Sequence, residues 1–144
     1  MTKRTLTIEY DGKTYYGHLA RIASTSLGYE DHGILTAYLH CEWTGGGVGV
    51  GGFCLDSPKP REQRDEDDYS RVGTAYGLDH LIRILDTVGV DRWEQLPGQQ
   101  VIVLFETENS WGSTSKGLAG VLNDKVLILA AHAQQWADAE KADA

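Results

Sequence analysis

A chain of 144 residues with 41% apolar and 24% charged residues has the size and composition of one globular domain. Its longest uncharged apolar runs, 101–105 and 126–131, fall far short of the ~20 residues of a membrane helix, and two cysteines, Cys41 and Cys54, make no disulfide framework. The balance of 21 acidic against 13 basic residues, a formal charge of -8, argues against generic polyanion binding, while 17 glycines against 3 prolines mark unusual backbone freedom.

The first residues, MTKRTLTIEY, are basic but pass directly into alternation without an apolar h-region, so no secretory signal is expected and a cytoplasmic chain is. Residues 5–10 alternate and meet Asp11-Gly12, whose tolerance of positive φ makes a type I′ hairpin turn. A strand over 13–24 should follow. There Tyr15, Tyr16, Leu19 and Ile22 keep no single parity, which implies a bulge or burial on both faces. After a turn at 27–33, residues 34–43 alternate cleanly: Leu35, Ala37, Leu39, Cys41 and Trp43 on one side, Thr36, Tyr38, His40 and Glu42 on the other.

Residues 48–55 read as another strand, and six of the 17 glycines crowd into 45–52. Residues 57–70 read as loop. A helix is predicted over 74–88, with Leu78, Leu81, Ile82 and Leu85 as its apolar stripe, Asp79, Arg83 and Asp86 facing water, and Gly89 ending it. A short helical turn follows, with Asp91 and Glu94 as its capping pair and Pro97-Gly98 as its stop. A strand at 100–107, a polar loop at 109–117 around Trp111, a hairpin of 118–122 with 125–129, and a helix at 130–141 complete the chain. The order predicts a mainly antiparallel α+β fold, an OB-like barrel or a roll with one central and one C-terminal helix. The domain is placed at 1–130, with 131–144 as a helical, acidic tail.

The charge is local. Residues 61–68, REQRDEDD, carry five acids and two bases, and the tail carries Asp138, Glu140 and Asp143 against Lys141, so these two stretches hold 3 and 2 of the 8 net negatives. Both read as solvated appendages.

Two elements have the composition of an anion or nucleotide site. The glycine-rich strand, with Gly46, Gly47, Gly49 and Gly51, could present backbone N–H groups, although it lacks a P-loop or dinucleotide pattern; close packing is the plainer explanation. The segment RVGTAYG places Arg71, Gly73, Thr74 and Tyr76 at a helix start, and Gly77 inside the first turn needs a ligand or a close neighbour to account for it. Tyr15, Tyr16, Tyr38 and Trp43, with Phe53, fall where an OB-fold carries its stacking platform, near Lys13 and Arg21. His18, His32, His40, His80 and His132 show no metal-ligand spacing, and His40 and Cys41 point to opposite faces, so no metal and no cofactor are expected. Asp31-His32 and Asp79-His80 read as surface or capping pairs, because no nucleophile accompanies them.

With GYEDHGILTAYLHCEW, GGGVGVGGFCLD and RVGTAYGLDHLIRILDTVGVDRWEQLPGQQVIVL in that order, the chain resembles, over about residues 10–130, a group of small uncharacterised proteins encoded by tailed phages and prophages, particularly of actinobacteria. The resemblance implies a phage setting and no catalytic residues. The layout of the helix followed by VGVDRWEQLPGQQVIV is also similar to phage OB-type single-stranded-DNA-binding proteins. The leading expectation is therefore a non-enzymatic phage accessory protein, homo-oligomeric, that binds a small anionic host ligand such as a nucleotide signal of antiviral defence. The alternatives are an OB-type single-strand binder, with Tyr15, Tyr16, Tyr38 and Trp43 stacking bases, and an acidic inhibitor of a host enzyme acting through 61–68. An enzyme ranks last.

Overall fold

In the computed structural model, residues 6–30, 33–109 and 113–142 are described; Asp31, His32, Trp111 and Asp143 lie outside them. The fold is α+β, a seven-stranded antiparallel sheet with two helices. Strand β1 (Leu6–Tyr10) turns at Asp11 (φ 50) and Gly12 (φ 77) into β2 (Lys13–Glu30), as the Asp-Gly pair dictates. Strand β3 is Ile34–Trp43, β4 Gly46–Gly51, β7 Gln100–Phe105, β8 Gly117–Ala119 and β9 Val126–Ile128; β5 (Asp56–Pro58) and β6 (Arg71–Gly73) form a separate small ribbon. Helix α1 is Ala75–Val88 and helix α2 is Leu129–Ala142.

The 18-residue β2 organises the sheet. It pairs with β1 over residues 13–17, with β7 over 16–21 and with β3 over 21–30. Because β1 and β7 overlap at Tyr16 and Gly17, and β7 and β3 at Arg21, β1 and β3 lie end to end along one edge of β2 and β7 lies on the other. The strand thus runs six residues past its expected end. Its irregular parity has both anticipated causes: a bulge between Ile22 and Ser24, and burial on two faces, with Tyr15 in one core cluster and Ala20 and Ile22 in the other.

The main core joins Ile22, Leu39, Cys41 and Val50 to Val101, Val103 and Phe105 of β7, Leu118 of β8 and Ile84 of α1. A smaller core on the opposite face joins Tyr15, Leu104, Ala119 and Ile128. Strand β7 is therefore buried on both sides. Its Val101, Val103, Leu104 and Phe105 are at most 1% exposed, each contributing about 1.5–3 kcal/mol. The sheet curls until Ser115 Oγ, just before β8, donates to Gly49 O of β4 at 3.1 Å, which gives a roll.

The structure departs from the expected elements in several places. Strand β4 ends at Gly51, because Gly51 (φ 129) and Gly52 (φ 92) leave the extended region. The stretch expected to be loop at 57–70 contains the last two residues of β5 and a 3-10 turn, Arg61–Gln63, and is closed by the pairing of β5 with β6. The 3-10 turn Trp93–Gln95 is closed by Gln95 Oε1, which accepts from Asp91 N and Arg92 N at 3.1 Å, and not by Asp91 with Glu94. The hairpin of β8 and β9 has a wider loop, built on Asn123 Oδ1 accepting from Lys125 N at 2.8 Å.

Helix α1 has the expected bounds, with Thr74 as N-cap and Gly89 (φ 91) as its left-handed end, but it is rotated about its axis. Gly77, His80, Ile84 and Thr87 are buried, whereas Leu78 is 64% and Ile82 40% exposed. The cause is Gly77, where an added Cβ would lie 2.8 Å from the Leu55 carbonyl carbon. The helix backbone rests on that peptide, and the face that can approach so closely turns inward.

Candidate functional site

The two sequence elements that suggested an anion site have different duties. At the helix start, Arg71 Nε donates to Asp56 Oδ2 at 2.9 Å and Nη2 to Oδ1 at 3.0 Å, a bidentate pair. Asp56 is 7% exposed, also accepts from Leu35 N at 3.1 Å, and is held below the usual carboxylate range chiefly by the Arg71 hydrogen bonds. The guanidinium is thus neutralised across the β5–β6 ribbon. Thr74 Oγ1 accepts from Gly77 N and donates to Leu55 O, both at 2.8 Å, so its hydroxyl is committed at both ends. Gly73 is exposed, and Tyr76 turns inward.

The glycines of β4 make room. An added Cβ at Gly46 would strike the Trp43 indole, at Gly51 it would lie 3.2 Å from the Ala37 carbonyl carbon, and at Gly52 it would lie 2.7 Å from Tyr38 Cζ. The register pairs Glu42 with Gly47, His40 with Gly49 and Tyr38 with Gly51, while Val48 and Val50 alternate toward the core. One outward face therefore carries Gly47, Gly49 and Gly51 beside Tyr38, His40 and Glu42. Across β2 the same face continues with Ser24 and Ser26, which pair with His40 and Tyr38.

On this face the Tyr38 ring packs against the glycines, 3.5 Å from the position a Gly49 Cβ would take, and stacks on His40 with centroids 6.2 Å apart and planes at 16°. His40 is exposed and Tyr38 half-buried; Ser26 Oγ lies 3.5 Å from His40 Nε2. The edge is closed by Arg21 Nη1 donating to Glu42 Oε1 at 2.9 Å. The structure thus joins Gly47, Gly49 and Gly51 with Tyr38, residues that the sequence assigned to two different readings.

The rest of the suggested platform is dispersed. Tyr15 is 7% exposed in the smaller core, with Lys13 Nζ 5.3 Å from its ring centre. Trp43 faces the main core and stacks on His18 at 4.8 Å. Tyr16 is half-buried on β2 opposite Phe105. Phe53 packs on the main core and stacks on His80 at 6.3 Å. Cys41 is buried, its thiol pushed up to about 12, and His40 is exposed on the other face.

A polar cluster that sequence reasoning assigned to the surface lies inside, between α1, α2 and Phe53. His80 is fully buried and its imidazole is pushed down to about 4, first by burial and then by His132. His132 Nε2 lies 2.7 Å from Asp79 Oδ2, which also accepts from Trp136 Nε1 at 3.1 Å, and the His132 contact is the largest influence lowering the Asp79 carboxyl. The Tyr76 ring lies 5.9 Å from His80 and 5.4 Å from His132, its phenol pushed up to about 12 by burial. The available signal was the i, i+4 spacing of Tyr76 with His80 and of His132 with Trp136, which places each pair on one helix face. Among the described residues, no three His, Cys, Asp or Glu side chains gather to hold a metal, and no helix is long and apolar enough to cross a membrane. Comparison with family models, with curated proteins and with solved structures finds no match.

Proposed function

We propose that the chain is a non-enzymatic binding protein that takes a small nucleotide-type ligand on the outer face of β3 and β4. The observation that supports this reading is the Tyr38–His40 pair laid over a strip of glycines, open to solvent and bordered by Ser24 and Ser26. A planar base stacks on such a pair, and base–aromatic stacking contributes about 1–3 kcal/mol per base. Serine hydroxyls and His40 supply polar contacts to its edge, and Arg21 at the rim meets a phosphate by exchanging its exposed partner Glu42. Arg71 and Thr74 are left out of the site because Asp56 and Leu55 occupy them. In a phage accessory protein this activity is the capture of a host nucleotide signal, a counter-defence role.

The test is a thermal-shift and calorimetric screen of linear, cyclic and ADP-ribose-type nucleotides, using the intact chain and Tyr38→Ala/His40→Ala. Binding lost in the variant, with its melting temperature little changed, supports the site. The absence of any nucleotide binding by the intact chain, or equal binding by both, refutes it. Salt-sensitive binding to oligo-dT, lost in the same variant, would assign the face to single-stranded DNA instead.

A further inference from the structure

Strand β2 outruns its neighbour. Its β7 edge is paired only as far as Arg21, extended by Gly98 N donating to Ile22 O at 2.7 Å and Ile22 N to Gln99 O at 2.8 Å. From Ser24 to Glu30, beyond the bulge at Ala23, the opposite edge is paired with β3, but among the described residues no backbone hydrogen bond reaches the β7 side from Ala23 onward. A row of alternate N–H and C=O groups therefore stands open along it. The segment that carries them, ASTSLGY at 23–29, has no charge and no proline, the devices that ordinarily blunt an edge, and it shows Leu27 at 44% and Tyr29 at 71% exposure. Opposite the edge, the Trp93 turn and Pro97 form the other wall of a groove floored by Ala23, Thr25 and Leu27. Trp93 Nε1 donates to Thr25 Oγ1 at 2.7 Å, which fixes that wall.

We infer that a second copy of this chain occupies the groove, the two β2 strands pairing antiparallel through residues 23–29 about a two-fold axis. An uncharged, unblunted edge is its own complement: antiparallel pairing satisfies both rows of backbone groups at once and makes one continuous sheet across the dimer. The chain bears a charge of -8, yet this edge segment carries none, so two copies meet along it without like charges on the paired strands, Glu94 being the one acidic residue of the groove lining. Leu27 and Tyr29 then lose their exposure to the partner's strand.

Light scattering during size exclusion tests this on the full chain at roughly 100 μM, above the micromolar constants that small interfaces reach. The expected mass is twice 15.8 kDa, falling to one copy for Leu27→Lys/Tyr29→Lys and for Tyr29→Lys alone, both with unchanged circular dichroism. Leu122→Lys, at a position 98% exposed elsewhere, should remain dimeric. Hydrogen exchange should show protection of alternate amides within 23–29 that rises with concentration. A monomeric intact chain, or a dimer indifferent to both lysine variants, overturns the inference.

Discussion

Gly77→Ala probes how α1 is seated. In an ordinary helix the change would stabilise by about 1 kcal/mol, because alanine loses less conformational freedom than glycine. Here the new Cβ would stand 2.8 Å from the Leu55 carbonyl carbon and 3.0 Å from Leu55 Cβ. Restoring an ordinary 3.4 Å contact to that carbon requires a movement of at least 0.6 Å (3.4 minus 2.8) between helix and strand. Leu55 is 2% exposed and bound through Thr74 Oγ1 to its own carbonyl and through its N–H to Leu35 O at 2.9 Å, so it cannot yield cheaply. Overpacking of this kind costs about 1–3 kcal/mol, often more against backbone, and outweighs the helix gain. Against a peptide held this firmly the upper end of that cost applies, and with the helix gain of about 1 kcal/mol subtracted the net expectation is a loss of about 2 kcal/mol, or roughly 5–10 °C in melting temperature for a chain of this size. Gly73→Ala, where nothing lies within 4 Å of the added atom, is the control and should be near neutral. Calorimetric melting of both variants decides the matter. A Gly77→Ala protein as stable as its parent would refute the close seating of α1 and with it the explanation of the helix's rotation.

Because folding holds His80 neutral with its pKa depressed from 6.5 to about 4, the unfolded chain binds the extra proton, and stability present above pH 6.5 is lost as pH falls toward 4. The loss is roughly 3 kcal/mol when complete, and His80→Phe should flatten the pH dependence of urea midpoints across that window. The depressed Asp79 carboxyl adds a second decline at still lower pH, which Asp79→Asn should remove. Arg71→Ala leaves the buried Asp56 without its counter-charge and should destabilise the fold, while Asp56→Ala/Arg71→Leu should cost less than the two single changes summed; a double-mutant cycle measured by denaturant unfolding reads the coupling. Gly52→Ala, at φ 92 beneath the Tyr38 ring, should both destabilise the protein and weaken any ligand held by Tyr38.

The strands were legible wherever one face was buried and the other wet: the alternation of residues 34–43 and the Asp-Gly turn appear in the structure as read. Strand β2 was underestimated because its last six residues, TSLGYE, carry no strong apolar period, and their pairing is imposed by β3. The orientation of α1 was misread for a sharper reason. Leu78, Leu81, Ile82 and Leu85 make the larger apolar stripe, yet contact distance governs the packing, and Gly77 permits an approach that leucine forbids. The same effect hid the buried cluster, since His80 and Asp79 were counted with the solvent face of a helix turned the other way. At the outer face, the glycines and the aromatic residues were both noticed, but only the register of β3 against β4 shows that Tyr38 lies on Gly49 and Gly52. The pairing of Arg71 with Asp56, fifteen residues apart, rests on a short ribbon that no periodicity announces.

The outer face of β3 and β4 is tested most directly by what it retains. Protein purified from phage-infected cells, then heat-denatured, releases its bound small molecules for mass spectrometry, and the same is done with Tyr38→Ala/His40→Ala. A nucleotide-type molecule is expected from the intact chain and is expected to be missing from the variant. No nucleotide from the intact chain, or equal amounts from both, would contradict the proposed site.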